Sequence, residues 1–280
     1  MIELQHLKFA YKNKPLLFDD LNLKITDGNI YGLLGKNGAG KTTLLKIICG
    51  LLFHREGNST VFGLDPRKRF PEMLKDIYFI PEEFFTPALK INEYLQLYSP
   101  FYTEFDEKAF REYITTFDLP ENERLTALSY GQKKKFLIAF GLATNSRLLI
   151  LDEPTNGLDI PSKSQFRKLL AAAIDEKRTV IISTHQVRDI GNLIDPIVIL
   201  DEGQIIFNQS VESISNKLTV SLEKNTPNED AVLYAEKTLG GYVVINENRG
   251  EPDSNLDMEL LFNAVINNQQ RMGELFAREV

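Results

Sequence analysis

Apolar residues in the first 200 positions gather in short unbroken runs. IYGLL at residues 30–34, IYFI at 77–80, LLIL at 148–151 and TVIIST at 179–184 are rich in Ile, Leu and Val. Runs of this length and composition read as buried-type β-strands. Two longer stretches, KTTLLKII after the first run and KKKFLIAFGLA at 133–143, read as helices. Past Gly203 the pattern weakens. KLTVSLEK and GYVVINEN read as short strands with a helix over residues 229–239 between them. Leu256, Leu260, Leu261, Val265 and Met272 fall at helical spacing and predict a final helix of several turns.

Composition bounds what these elements build. A chain of 280 residues, 43% hydrophobic and 25% charged, suits one large domain or one plus an appendage. The single cysteine, Cys49, excludes an intrachain disulfide and fits a reducing compartment. The first residues hold no apolar core of signal-peptide length, and no apolar run approaches the roughly 18 residues of a membrane span, so the expectation is a soluble chain. Net charge is −7, and residues 201–280 hold 14 acids against 6 bases. Neither part has the basic excess that nucleic-acid binding requires, so nucleic acid is not an expected partner.

The chemistry concentrates where runs end. After the run at 30–34 comes GKNGAGKTT, matching G-x-x-x-x-G-K-[ST] through Gly35, Gly40, Lys41 and Thr42. Glycines let consecutive backbone N–H groups curl around phosphate oxygens, and a helix N-terminus adds partial positive charge. Lys41 would reach the β- and γ-phosphates, and Thr42 would place its hydroxyl on Mg²⁺. The run at 148–151 delivers Asp152, suited to a Mg²⁺ contact, and Glu153, suited to orienting or deprotonating an attacking water. The run at 179–184 ends in Ser183, Thr184 and His185.

Between the glycine loop and the paired acids lies LSYGQ, Leu128 to Gln132, about 90 residues after the first and about 20 before the second. This combination closely resembles the ATP-binding cassette of ABC transporters, whose signature motif is LSGGQ. The resemblance implies ATP and Mg²⁺ as ligands. Tyr11 would stack on adenine, and Gly35, Asn37, Gly38, Ala39, Gly40, Lys41, Thr42 and Thr43 would cradle the phosphates. Ser129, Gly131 and Gln132 would meet the γ-phosphate held by a second subunit, with Asp159 of NGLD crossing the interface. His185 matches the family's switch histidine, which contacts the γ-phosphate. One position departs from the pattern: where the family has glutamine after a strand and proline, IYFIPEEFF has Pro81 followed by Glu82. Glu82 can still ligate Mg²⁺ or accept from water, but it adds negative charge beside a triphosphate, so altered coupling is expected.

The implied fold is α/β: a P-loop core with a mostly parallel sheet, an N-terminal antiparallel β layer, an inserted helical subdomain at about 84–145 and a small α/β C-terminal extension. The resemblance assigns residues 1–205 to the nucleotide-binding domain and 206–280 to the extension. It implies an ATP-hydrolysing subunit that dimerises head to tail around two ATP, on the cytoplasmic face of the cell membrane, with separate transmembrane permease subunits as partners. Layout of the tail is similar to cassettes of exporters. Residues 78–117 hold 12 of the 28 Phe and Tyr residues, enough for a subdomain core. Phe84 and Phe85 are the expected contacts to a membrane subunit. Two alternatives stand beside this reading. A non-transport ABC ATPase of translation or DNA repair would need a tandem cassette, a long heptad insertion or a basic surface, none of which the sequence shows. An ATP-binding regulatory subunit without turnover is opposed by Lys41, Asp152, Glu153 and His185.

Overall fold

The computed structural model describes residues 1–191, 193–228, 232–248, 250 and 257–277. The N-terminal strands β1 (Ile2–Phe9) and β2 (Phe18–Ile25) bury one face and expose the other. That pattern is what an antiparallel sheet with one wet face demands. The apolar run at 30–34 is β3 (Ile30–Leu34), and it leads into α1 (Lys41–Ile48). With β4 (Glu56–Val61), β1 and β2 complete a three-stranded antiparallel layer in the order β2-β1-β4.

A short helix α2 (Pro71–Leu74) precedes β5 (Ile77–Ile80). Three helices follow before the chain returns to the sheet: α3 (Ile91–Tyr98), α4 (Glu107–Thr116) and α5 (Tyr130–Ala143). Much of the predicted aromatic cluster is their core, since Phe110, Phe117, Phe136 and Phe140 are fully buried and Tyr94 stacks on Tyr98 with centroids 4.2 Å apart. Phe85 is not part of it, at 88% exposed.

The remaining runs form β6 (Leu148–Asp152), β7 (Thr179–Thr184) and β8 (Ile197–Asp201), with α6 (Ile160–Ala172) between the first two and β9 (Gln204–Gln209) after the last. They join β3 and β5 in a six-stranded sheet ordered β5-β6-β7-β3-β8-β9, parallel except for the antiparallel edge strand β9. Strands β6, β7 and β8 are buried throughout, as covered parallel strands must be. Register does the positioning. Leu34 pairs with Thr184, Ser183 with Asp152, and Leu151 with Ile80. The C-terminal ends of β3, β7, β6 and β5 therefore lie side by side, the edge where such sheets bind ligands.

Beyond β9, α7 (Val211–Lys217) leads to β10 (Leu218–Glu223), β11 (Tyr234–Thr238) and β12 (Gly241–Glu247), a second antiparallel sheet ordered β10-β12-β11. Here the structure corrects the helix expected over 229–239, of which residues 229–231 lie outside the described residues. Tyr234–Thr238 pairs antiparallel with β12, Thr238 facing Gly241 across a two-residue turn. Its Ala, Glu and Lys suit a helix, but the adjacent glycines supply the turn, and cross-strand pairing outweighs propensity. The single closing helix is likewise two, α8 (Met258–Asn267) and α9 (Gln269–Ala277). Asn268 breaks them, at φ −135°, and its side chain donates to the Leu233 carbonyl at 2.8 Å. Leu260, Leu261, Val265 and Met272 are buried as their spacing predicts, and Leu256 lies outside the described residues.

Candidate active site

The loop between β3 and α1 turns back over the strand ends. Gly40 sits at φ 108°, and a Cβ there would lie 2.8 Å from the Phe18 ring, so only glycine fits this bend. A cleft of about 660 Å³ opens beside it, lined among others by Tyr11, Asn37, Gly38, Gly40, Lys41, Thr42, Thr43, Glu82, Asp152, Glu153 and His185. That volume lies within the usual range for a small-molecule site. Gly35 and Ala39 belong to the same loop without lining the cleft. A Cβ on Gly35 would meet the Leu200 carbonyl at 2.5 Å.

Lys41 is nearly buried, its ammonium donating to the carbonyl of Gly35 at 2.7 Å and lying 3.9 Å from Glu153 Oε1. Burial pushes its pKa down, and the negative charges of Glu153, Asp152 and Glu82 oppose that shift. Thr42 donates to Asp152 Oδ2 at 2.6 Å, and Ser183 donates to the other carboxylate oxygen. A hydroxyl beside a carboxylate is an oxygen donor set suited to a hard cation. Among the described residues no three Asp, Glu, His or Cys side chains converge closely enough to hold a metal. The fit is to Mg²⁺, which takes one or two protein oxygens and completes its shell with phosphate and water.

Glu153 sits one residue past β6 with φ 47°, a left-handed conformation uncommon for a residue with a side chain. Its N–H donates to the Ser183 carbonyl at 3.0 Å, which helps to hold that turn. Oε1 accepts from the backbone N–H of His185 at 3.1 Å and meets the His185 ring at Nδ1, 2.7 Å away. Oε2 is buried without a hydrogen-bond partner among the described residues. A buried carboxylate oxygen without a partner is a position where a water or substrate hydrogen would be held.

Tyr11, 44% exposed, stands at the cleft with its ring edge-on to Phe9 and its hydroxyl 2.9 Å from Thr43 Oγ1. The signature residues are elsewhere. Ser129 caps α5, its oxygen accepting from the Gln132 N–H at 3.3 Å while Gln132 Oε1 accepts from the Ser129 N–H at 2.9 Å. Asp159 caps α6 by accepting from the Ser162 N–H at 2.9 Å, and the Ser162 hydroxyl first, then this N–H, hold its carboxyl below the usual range. Ser129, Gly131, Gln132 and Asp159 are not among the residues lining the chain's own cleft.

Four residues that the motifs did not single out join the site. Asn156 donates to Glu82 Oε1 at 3.1 Å and accepts from Gln186 at 3.2 Å. Tyr130 donates to the Glu82 backbone carbonyl at 2.9 Å, and Lys134 reaches the same oxygen at 3.5 Å. Asn156 and Tyr130 lie inside quoted motifs, where their partners could not be read. Gln186 and Lys134 carry no signal of type or spacing.

The ABC transporter family profile matches residues 18–156. The chain is 30% identical over 207 residues to the ABC transporter ATP-binding protein YtrB of Bacillus subtilis (strain 168), covering 73% of this chain and 70% of that one. It is 35% identical over 192 residues to the bacitracin transport ATP-binding protein BcrA of Bacillus licheniformis, covering 67% and 63%. Among solved structures, a dimeric post-hydrolysis state of the ATP-binding cassette MJ0796, bound to ADP and phosphate, shares the fold at a TM-score of 0.65 and 24% identity, covering 75% of this chain and 99% of that one.

Proposed function

The chain belongs to the ABC transporter family, as an ATP-binding and ATP-hydrolysing subunit, and we propose that two such subunits close head to tail around two ATP molecules to drive separate membrane-spanning partners. The observation that carries this reading is the position of Ser129. It is exposed at the N-terminus of α5, an anion-binding end, yet it does not line the cleft of its own chain. An exposed helix N-terminus that does not line its own chain's phosphate cleft is open to the loop of a second copy.

Within one protomer, Gly35 to Thr43 would hold the triphosphate through backbone N–H groups, with Lys41 on the β- and γ-phosphates and Tyr11 against the base. Thr42, Asp152 and Glu82 would hold Mg²⁺, which would neutralise charge on the phosphates. Glu153 takes or orients the hydrogen of the attacking water, while His185 donates to Glu153 and keeps its carboxylate turned into the cleft. Ser129, Gly131, Gln132 and Asp159 complete the other subunit's site. Residues 1–205 carry this chemistry, with a helical subdomain at about 84–145, and residues 206–280 are an extension.

The partner reading rests on exposed aromatics. No helix among the described residues is long and apolar enough to cross a membrane. In this proposal the permease is a separate chain that docks on the helical subdomain at the cytoplasmic face of the membrane. Phe85 is free for that contact, whereas Phe84 is stacked on Tyr130. The export direction expected from a strand–helix–strand tail loses that support, because residues 234–238 are strand β11. Light scattering of the purified chain with ATP and Mg²⁺ tests the pairing: wild type doubles in mass, and Ser129→Arg stays monomeric while still binding nucleotide. A mass unaffected by Ser129→Arg would overturn the head-to-tail arrangement.

A further inference from the structure

The first two turns of α5 grip the segment after β5 at one atom. The Tyr130 hydroxyl donates to the Glu82 carbonyl at 2.9 Å, and Lys134 Nζ approaches the same oxygen at 3.5 Å. Aromatic contacts fix the approach. The Tyr130 ring stacks on Phe84, centroids 5.2 Å apart with planes at 22°, and the Lys134 ammonium lies 5.4 Å from the Phe84 centroid and 6.0 Å from that of Tyr130. The opposite end of Glu82 is also held, its carboxylate accepting from Asn156 at 3.1 Å. Asn156 in turn accepts from Gln186, the neighbour of His185.

A carboxylate side chain has three rotatable bonds, so where its oxygens sit depends on where its backbone is fixed. We propose that Tyr130 is a positioning residue for ATP hydrolysis: by binding the Glu82 carbonyl it sets the Glu82 carboxylate in the cleft, working from the helix end that presents Ser129 to the second copy. The proposal rests on the reading of Glu82 as part of the nucleotide site. One helix end then serves two nucleotides, its own chain's through Tyr130 and Glu82 and the partner's through Ser129. A glycine at position 130, as in LSGGQ, would offer the Glu82 carbonyl neither the hydroxyl nor the ring contact with Phe84. The sequence LSYGQ contains this arrangement, but without the fold nothing shows that its tyrosine reaches a residue 48 positions earlier.

Tyr130→Phe keeps the stacked ring and removes only the hydroxyl. Steady-state ATP hydrolysis by the purified full chain is measured for wild type, Tyr130→Phe, Glu82→Gln and the double variant, together with thermal midpoints. Tyr130→Phe is expected to change kcat about fivefold, the scale of one hydrogen bond, with KM within about twofold and a midpoint lowered by at most a few degrees. The double variant is expected to match Glu82→Gln alone, because Tyr130 acts through Glu82. Unchanged kcat in Tyr130→Phe, or a change shared with KM and a larger drop in the midpoint, overturns the proposal. So does a double variant whose kcat is the product of two independent effects while Glu82→Gln alone alters turnover, and in that case the reading of Glu82 stands. Wild-type turnover in Glu82→Gln removes that reading and the proposal with it.

Discussion

Glu153 Oε1 is approached twice by one residue, by the backbone N–H of His185 at 3.1 Å and by its ring Nδ1 at 2.7 Å. A carboxylate accepts, so Nδ1 carries the hydrogen and Nε2 is left to face Gln186, 3.5 Å away. This doubled contact turns one oxygen toward His185 and leaves Oε2 as the buried atom with no protein partner among the described residues. The two oxygens therefore differ, Oε1 being tied to His185 while Oε2 keeps its acceptor capacity unused among the described residues.

Glu153→Gln keeps the shape but replaces an acceptor with an amide that is a far weaker base. Turnover is expected to fall by about 10²–10⁴-fold, the usual contribution of a general base, while nucleotide still binds and the ATP-dependent dimer lives longer. Phosphate release and light scattering measure both. A variant that hydrolyses at the wild-type rate would show that the catalytic base lies elsewhere.

Thr42 and Asp152 form the oxygen pair assigned to Mg²⁺, joined at 2.6 Å. Thr42→Val removes the hydroxyl at nearly constant volume. The concentration of Mg²⁺ giving half-maximal turnover is expected to rise at least about tenfold, the scale on which altered ligand environments weaken metal sites. The same titration on wild type is the control. An unchanged Mg²⁺ requirement would remove Thr42 from the metal's shell.

How much of this was legible follows from the physics of each motif. Gly35 to Thr43, Asp152, Glu153 and His185 are readable because loop, acids and histidine each follow a short apolar run, and runs of that kind become neighbouring parallel strands. Their lateral order was not readable, since it is set by register between segments more than 100 residues apart, such as Leu34 with Thr184. Lys134 stands in the run Lys133 to Lys135, which has the look of a solvated face, yet packing of α5 leaves it 0% exposed. Tyr234–Thr238 misleads in the other direction, because its Ala, Glu and Lys suit a helix and only the partner strand β12 decides otherwise.

Gly157 shows how closely the loop after β6 packs on α5. It adopts φ 80°, and a Cβ there would lie 2.6 Å from two carbons of the Tyr130 ring. Gly157→Ala therefore combines left-handed backbone strain with displacement of the ring and is expected to destabilise by about 1–3 kcal/mol. Gly63 is the matched control, at φ 79° with nothing within 4 Å of its would-be Cβ. Gly63→Ala carries the backbone strain alone, about 1 kcal/mol. Urea unfolding of both variants compares them, and equal losses would show that the Tyr130 ring yields freely.

Lys134 is the costliest side chain in the region to keep buried. It is fully enclosed, its nearest acceptor is the Glu82 carbonyl at 3.5 Å, and burial pushes its pKa down against the attraction of Glu82, Asp152 and Glu153. A desolvated ammonium with one long hydrogen bond recovers little of its hydration, even beside the rings of Phe84 and Tyr130. Lys134→Met preserves length and apolar packing while removing the charge, so it is expected to raise stability in urea unfolding, because no ion pair within 4 Å among the described residues offsets the desolvation of this ammonium. ATP turnover is expected to move the other way, since the Glu82 carbonyl loses a donor and the three acids lose a nearby positive charge. Gains in stability bought with lost activity are the mark of a group retained for function. If Lys134→Met is less stable than wild type, the ammonium's contacts with the Glu82 carbonyl and the two rings outweigh its desolvation.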